Sequence, residues 1–470
     1  MWLRFPFGPS LEKDLWATGF TMIWRMTAMA LTLSWGGLVS LPADPAPDTD
    51  DATTTTAQAI HAAEPETEVP ATLLTWPDCV RLATENNPDL QAAREQVLNS
   101  DAVHMGAYSA LYPQISATYS DARSYASENL FAPHSYATAY NEQISLSQLV
   151  FDGFATKGNI DRAKAQLDLA FADLDGEKST LSFNLKSSFA QLVYADKLIK
   201  ISQDIVDIRR DAARLVRLLY EGGSEDKGDM ELSQANLSQA LYSLDQAVRT
   251  RDLSAVQLGV FIGKDLPAPV LAEGELMTDH LPVMPDFTKL ALVTPLYYER
   301  QAEVGAAAAG LTVANSGWYP TITANADAFR SDVAQPLKNN GWSVGFAVSY
   351  PLFQGGATYF NVKAASASLR QSLDNLRSGT NDSALTLAQM FKGMVDAEDN
   401  VRIQEELLEA TALRFHISSA DYRNGLTTFE DYNLITDDYV SQKQSLLSAQ
   451  LNAVVAEAAW EEAKGQGAIP

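Results

Sequence analysis

The chain has 470 residues and a formal net charge of −25, from 34 Lys and Arg against 59 Asp and Glu. This acidic balance argues against nucleic acid as a partner and against a polybasic patch for anionic lipid. Hydrophobic residues make up 46% of the chain, which is enough for a folded protein. The single cysteine excludes an intramolecular disulfide.

The N-terminal part of the chain contains two segments without globular character. Residues 1–43 form a signal-like segment, in which Arg25 precedes the mostly apolar run 26–39. The best cleavage point follows Ala43. Residues 44–72 are rich in Asp, Pro, Thr and Ala and contain few large apolar groups. Because such a segment cannot bury enough apolar surface to fold, we predict a disordered linker.

Several sequence landmarks occur twice in the chain, in the same order. Residues 111–115 (Leu-Tyr-Pro-Gln-Ile) return as 318–322 (Trp-Tyr-Pro-Thr-Ile), a shift of 207. Residues 220–223 (Tyr-Glu-Gly-Gly) return as 422–425 (Tyr-Arg-Asn-Gly), a shift of 202. The units of a solenoid have about 20–50 residues, so a repeat of this length indicates one architecture present twice.

These landmarks define the domain organisation. The first repeat covers residues 73–263 and the second covers residues 285–464. An inter-repeat linker over 264–284 joins them, and a short tail over 465–470 follows. Within each repeat we predict the same order of elements: a helix, two strands, a long helix, a tight turn and a return helix.

Each repeat contains two segments in which apolar and small polar residues alternate. The predicted strands cover about 113–123, 138–151, 320–330 and 341–353. Such alternation indicates strands with one apolar and one polar face, and about ten residues are enough to cross a bilayer as a tilted strand. Soluble hairpins are the alternative, but their presence in both repeats favours the membrane. The residues of the last strand that we predict to face lipid are Trp342, Val344, Phe346 and Val348.

After each pair of strands, the period of the apolar residues changes to that of an α-helix. No proline interrupts either stretch before its Tyr-x-x-Gly landmark, so each helix runs for about 65 residues, or about 100 Å. Helices of this length pack side by side as coiled coils. Gly223 and Gly425 are typical of helix C-terminal stops. Return helices are predicted over 230–261 and 429–463, and shorter helical runs precede the strands over 73–112 and 285–319.

The start of the first repeat carries the most specific local motif. It reads Leu-Thr-Trp-Pro-Asp-Cys-Val over residues 74–80, followed by Ala83 and by Asn-Asn-Pro-Asp-Leu over 86–90. This motif and the doubled order of elements resemble the TolC-like outer-membrane factor family, with Cys79 in place of the usual alanine. The resemblance covers about residues 73–464.

The resemblance implies a mainly α-helical fold with a membrane β part. In this fold, duplicated long hairpins form a trimeric α-barrel tunnel, and each chain adds four strands to a 12-stranded transmembrane β-barrel. The residues alone agree that the chain is incomplete, because four strands are too few to close a membrane barrel and open edges are not tolerated in lipid. Strand arithmetic allows two, three or four copies, and the resemblance selects a homotrimer.

The same resemblance implies a function and a location. The chain is expected in the outer membrane of a Gram-negative bacterium, in contact with lipid, with its helical part in the periplasm. There it acts as the exit channel of a tripartite efflux pump or a type I secretion system, a passive duct opened by a periplasmic adaptor (membrane fusion) protein and an inner-membrane pump. The alternative is a periplasmic coiled-coil scaffold or adaptor protein without a pore.

Catalytic chemistry finds no support in the sequence. The five histidines are scattered and lack metal-ligand spacing to one another or to Cys79. The segment 221–224 (Glu-Gly-Gly-Ser) ends a helix and does not follow a strand, so it is not a phosphate-binding loop. We therefore predict no enzyme activity, no cofactor and no metal site.

The resemblance also implies a gate at the two helical turns. Counted from the shared glycines Gly223 and Gly425, Asp229 matches the family's gate aspartate, Tyr422 its gate tyrosine and Asp431 the first aspartate of its acidic ring. In the assembly such residues would form acidic rings at a pore mouth. The gate positions at the two turns are Asp229, Tyr422, Asp431, Thr427, Gly223 and Gly425.

Two positions depart from the family pattern at this gate. Thr427 stands where the best-studied members carry an arginine, and Leu434 stands where they carry a second ring aspartate. The sequence therefore predicts weaker resting closure, with Lys227 as the one nearby cation of the first turn. The alternative is that the acidic residues only cap helices, since Asp is favoured near a helix start.

Overall fold

The computed structural model describes residues 72–126, 135–264, 270–276, 278, 283–333 and 337–470. The signal-like segment 1–43 and residues 44–71 of the predicted linker lie outside the described residues. The first described element begins at Thr72, one residue before the predicted start of the first repeat.

The first repeat follows the predicted order of elements. Its elements are β1 (Thr72–Leu74), α1 (Trp76–Asn86), α2 (Pro88–Ala107), a 3₁₀ turn (Tyr108–Leu111), β2 (Gln114–Ala126), β3 (Ser135–Phe151), α3 (Ala155–Glu221) and α4 (Lys227–Phe261). The break between α1 and α2 is at Asn87, whose side chain accepts a hydrogen bond from the backbone N of Leu90. Pro88 follows at the first helical position, where its missing N–H costs nothing.

The second repeat has the same order after a short linker strand. Its elements are β4 (Val270–Ala272), α5 (Phe287–Ala291), α6 (Pro295–Ser316), β5 (Thr321–Asp332), β6 (Asn339–Ser349), α7 (Ala357–Arg423) and α8 (Phe429–Ala463). The two long helices, α3 and α7, each contain 67 residues, close to the predicted length.

Every described residue with positive φ belongs to a pair that is 202 positions apart, one member in each repeat. The pairs are Gly153 and Gly355, Phe154 and Gly356, Gly223 and Gly425, and Gly263 and Gly465. The left-handed turns before the long helices, at the hairpin turns and after the return helices are therefore the same in both repeats. The duplication seen in the sequence is a duplication of backbone conformation.

The predicted strands form a four-stranded antiparallel sheet in the order β2-β3-β5-β6. In its register Val344 lies opposite Ala326, Ala326 opposite Leu146, and Leu146 opposite Ile115. The apolar positions predicted from alternation therefore share one continuous face. In the described part of the chain, β2 and β6 each pair with only one strand and leave an open edge.

The strand and helix ends differ from the predicted ones for local reasons. Strand β6 ends at Ser349 and not at 353, because Pro351 lacks the N–H that a sheet ladder needs. Helix α4 begins at Lys227 and not at 230, because the Asp226 side chain accepts a hydrogen bond from the backbone N of Asp229 at 2.9 Å and so caps the helix earlier.

Two short segments outside the predicted elements take part in the fold. Strand β4 lies in the inter-repeat linker and pairs in parallel with β1, which ties the linker to the start of the first repeat. In the tail 465–470, Ile469 is buried, and its backbone N donates to Ser182 Oγ at 3.0 Å. Both contacts join residues that are distant in sequence, so periodicity did not predict them.

Helix α3 is the centre of the helical packing. It packs against α2, α4, α6 and α8, whereas α7 packs mainly against α6 and α8. Leu185 and Leu192 of α3 have no exposed surface and belong to a core cluster that also includes Leu258 of α4 and Leu447 of α8. The two repeats therefore pack against each other along α3.

No described helix has an apolar stretch of the length and hydropathy needed to cross a membrane.

Candidate functional site

The turn between α3 and α4 brings Gly223 to the end of the first hairpin. Gly223 has φ 76°, and its N–H donates to the carbonyl of Tyr220 at 2.9 Å. The N–H of Ser224 donates to the carbonyl of Leu219 at 2.8 Å. This is a Schellman motif, which ends a helix by placing one residue in the left-handed region.

The turn between α7 and α8 repeats this geometry in the second hairpin. Gly425 has φ 70° and donates to the carbonyl of Tyr422 at 3.1 Å. Leu426 donates to the carbonyl of Asp421 at 2.9 Å. A Cβ at Gly223 or Gly425 would meet no atom within 4 Å, so backbone conformation alone requires glycine at both turns.

The acidic residues after each turn take part in helix capping. The Thr428 hydroxyl accepts a hydrogen bond from the backbone N of Asp431 at 3.2 Å and donates to Asp431 Oδ2 at 2.9 Å. In the first hairpin the capping side chain is Asp226, and Asp229 contributes only its backbone N–H to that cap. Asp431 therefore has a capping role in this chain, while the role of Asp431 and Asp229 in an acidic ring stays a prediction.

Tyr422 lies inside the chain, between the two hairpins. It is 2% exposed, and its ring stacks on that of Tyr432 with centroids 4.8 Å apart and planes 5° apart. Its hydroxyl donates to Glu225 Oε1 at 2.9 Å. Burial raises the pKa of Tyr422, and the hydrogen bond to Glu225 and the negative charges of Glu225 and Asp229 raise it further.

The tip cluster packs the second hairpin against the first. It consists of Ala212 and Val216 from α3 with Tyr422, Phe429 and Tyr432 from the second hairpin. Burial raises the pKa of Tyr432 as well. The predicted gate residue Tyr422 is thus part of a packed contact between hairpins.

Glu225 is a residue of this site that sequence reasoning missed. It lies 202 positions before Thr427, the place where the family pattern has an arginine, so the two turns are equivalent but chemically different. Thr427 is partly buried, and Lys227 is exposed and forms no ion pair with a described residue. The hydrogen bond from Tyr422 identifies Glu225, and no local sequence pattern signals it.

The predicted lipid-facing side of the sheet is exposed in the single chain. Its opposite face is polar: Gln143 Nε2 donates to Asp327 Oδ1 at 3.0 Å, and Ser343 Oγ donates to Asp327 Oδ2 at 3.4 Å. The exposed fractions of the apolar residues are 78% for Trp342, 70% for Val344, 77% for Phe346 and 66% for Val348.

Metal chemistry finds no support in the part of the chain that the structure describes. Among these residues there is no group of three His, Cys, Asp or Glu side chains placed to hold a metal ion. Cys79 is buried in the core, and burial raises the pKa of its thiol to about 11. A thiol in this state is a poor nucleophile at neutral pH.

Duplicated long hairpins with paired left-handed turns, joined to a four-stranded sheet with one apolar face, define the class of outer-membrane channel subunits. The sequence model of the outer membrane efflux protein family matches residues 79–264 and 298–466. The chain belongs to this family, and the resemblance to TolC-like factors is confirmed. It is an outer-membrane efflux channel of the kind used by tripartite pumps, and its family and fold are those of passive channels.

Individual relatives and structures are similar to the chain over most of its length. The outer membrane efflux protein BepC of Brucella suis biovar 1 (strain 1330) is 22% identical over 393 residues, 82% of this chain and 84% of BepC. The outer membrane channel CmeC of Campylobacter jejuni gives a TM-score of 0.74 at 15% identity, covering 83% of this chain and 85% of CmeC. The open state of the outer membrane channel MtrE of Neisseria gonorrhoeae gives 0.73 at 17% identity, covering 83% and 88%. These structures support the fold alone.

Proposed function

We propose that three copies of this chain form a continuous passive duct, with the sheets closed into a barrel in the outer membrane and the long hairpins closed into a periplasmic tunnel. The observation that carries this proposal is the position of the exposed apolar side chains. They are concentrated on the elements at the two lateral edges of the chain, where a neighbouring copy would cover them.

The helical edges show this concentration most clearly. The edge helices carry large hydrophobic residues that are at least 42% exposed, whereas α8, which packs between α3 and α7, has one such residue, Leu434. Those of α4 are Leu232, Leu241, Tyr242, Val248, Leu253, Val256 and Val260. Those of α7 are Tyr359, Phe360, Leu373, Leu385, Ile403, Leu407, Leu413 and Ile417. A partner surface is the ordinary reason for apolar exposure of this extent.

The strand edges and helix edges fall on the same two sides of the chain. One side has β2, with α2 and α4; the other side has β6, with α7. Two different surfaces that meet head to tail generate a closed ring when the rotation closes. Three copies with four strands each supply 12 strands, a number found among membrane barrels.

The tip turns are the proposed entrance of the duct, where a periplasmic adaptor and an inner-membrane pump dock. Acidic residues surround both turns, and in a ring they would attract cations or basic partner segments. These acidic residues are Glu225, Asp226, Asp229, Glu430 and Asp431. We propose that this gate opens when the partners separate the two hairpins, and that the closed contact is the tip cluster around Tyr422.

The experiment is extraction of the protein from outer membranes in detergent, followed by mass measurement and planar-bilayer recording. We expect a trimer that migrates differently on gels when unheated and that forms ion-conducting channels. The matched control is the same preparation after heat dissociation. A stable monomer that forms no channel would contradict the proposal and favour a periplasmic scaffold.

A further inference from the structure

Arg209 lies in the seam between α3 and α8, where the first hairpin meets the second. Its side chain is 9% exposed, and it donates to Asn433 Oδ1 at 3.1 Å and forms an ion pair with Asp437. Asn433 Nδ2 donates to Asp437 Oδ2 at 3.1 Å, and Asn236 Nδ2 of α4 donates to Asn433 Oδ1 at 3.0 Å. Four side chains from three helices therefore form one network, which we call the seam network.

The seam network adjoins polar and small side chains. A cavity of about 230 Å³ borders it and is lined in part by Ser202, Gln239 and Ser243. In the tip cluster, α3 presents the small residues Ala212 and Val216 to the aromatic rings of the second hairpin. Such apolar contacts have no preferred direction, so the hydrogen bonds of the seam network help to fix the register of the two hairpins, together with the bond from Tyr422 to Glu225.

We propose that Arg209 is a positioning residue that holds the second hairpin tip against the first in the closed channel. This inference rests on the proposed function, since it concerns the opening of that duct. Lys227, the nearby cation of the first turn, is exposed.

The closed and open arrangements differ in what the Arg209 side chain contacts. When the hairpins are in contact, the guanidinium binds two acceptors on α8 at once, which its planar fork permits. When they separate, Arg209 and Asp437 both face water. Removal of Arg209 therefore weakens only the closed state, and only such a differential effect shifts the equilibrium.

A second arginine, which lies in the first hairpin, supplies a matched control. Arg251 of α4 pairs with Asp196 of α3 at 3.3 Å, and its side chain is 17% exposed. This pair is also partly buried and also joins Arg to Asp, but both partners belong to the first hairpin. It keeps its geometry whether or not the second hairpin moves.

The experiment records single channels of the purified full-length protein in planar bilayers, for the wild type, Arg209→Ala and Arg251→Ala. A charged hydrogen-bonded pair lost from the closed state alone raises the ratio of open to closed dwell time by about tenfold. We expect this rise for Arg209→Ala and none for Arg251→Ala.

A second variant keeps the test decisive if Arg209→Ala fails to assemble. Asp437→Asn leaves the buried guanidinium in place without its carboxylate, and we expect the same direction of change. Wild-type dwell times in Asp437→Asn, or in a channel-forming Arg209→Ala, overturn the inference. A wild-type protein that forms no channels contradicts the proposed function itself, and with it the positioning role of Arg209.

Discussion

Glu225 and Thr427 occupy equivalent positions of the two repeats, yet only Glu225 accepts the hydrogen bond of Tyr422. The Tyr-x-x-Gly landmark located Tyr422 in the sequence. Its partner was not predictable in the same way, because Glu225 lies 197 residues away, in the other repeat. Local patterns predict turns and helix ends, whereas this contact depends on how the hairpins pack.

The raised pKa of Tyr422 makes the stability of the tip cluster dependent on pH. The ordinary tyrosine pKa is 10.0, and the folded value lies above it, so the folded state retains a proton that the unfolded state loses above that pH. The stabilisation is therefore complete below pH 10.0 and is lost as the pH rises above it. We expect the melting temperature to fall between about pH 10 and about pH 11, and to fall less in Tyr422→Phe. Equal slopes for both proteins would contradict this role for Tyr422.

The two turn glycines are required by their backbone conformation. Gly223→Ala and Gly425→Ala place a Cβ in the left-handed region, which costs about 1–2 kcal/mol each, although neither creates a clash. Gly393→Ala is the control, since Gly393 lies inside α7 with open space around it, and there alanine stabilises by about 1 kcal/mol. Amide hydrogen exchange at the helix ends measures the difference; slower exchange in Gly223→Ala would be inconsistent with the described φ.

At the scale of elements, the long helices and the four strands were predictable because each has a clear period and clear stop residues. Both long helices were expected at about 65 residues and have 67. The β1–β4 pair was missed because each strand has three residues, too few for a periodic signal. Strand β6 ends before its predicted end because alternation carries no signal for the N–H that Pro351 lacks.

Strand β6 allows a test of which face meets lipid. Val344→Arg places a charge on the apolar face and is expected to cost about 2–4 kcal/mol near the bilayer midplane. Ser343→Asn is the control on the opposite face, where Ser343 already bonds Asp327. Folding yield and unfolding free energy in lipid vesicles measure both variants. Equal sensitivity of the two faces would mean that this hairpin is not in a membrane.

The exposed edges of the single chain decide how copies can assemble. The four predicted strands indicated that one chain is incomplete, but not which helices border a neighbour. That distinction required the packing, in which α3 packs mainly against α2, α4, α6 and α8, whereas α7 packs mainly against α6 and α8. The assembly surface is thus a property of the fold and not of any one segment.

Two leucines of nearly equal exposure test the proposed assembly surface. Leu253 on the edge helix α4 is 58% exposed, and Leu218 on the central helix α3 is 60% exposed. Leu253→Asp buries an unpaired carboxylate in the proposed interface, so we expect loss of the detergent-stable trimer. Leu218→Asp is expected to leave the trimer intact. Unheated gel migration and mass measurement distinguish the two, and equal behaviour would place the interface elsewhere.

The four pairs of left-handed residues, 202 positions apart, have a consequence for symmetry. Because both hairpins end in the same backbone turn, the proposed trimer presents six tips that are alike in shape. Their side chains alternate around the ring, Glu225 and Asp226 at one tip and Thr427 and Thr428 at the next. A partner that recognises backbone shape meets a sixfold surface, whereas one that recognises charge meets a threefold surface. The same entrance can therefore bind six copies of a partner that recognises backbone shape, or three copies of one that recognises charge.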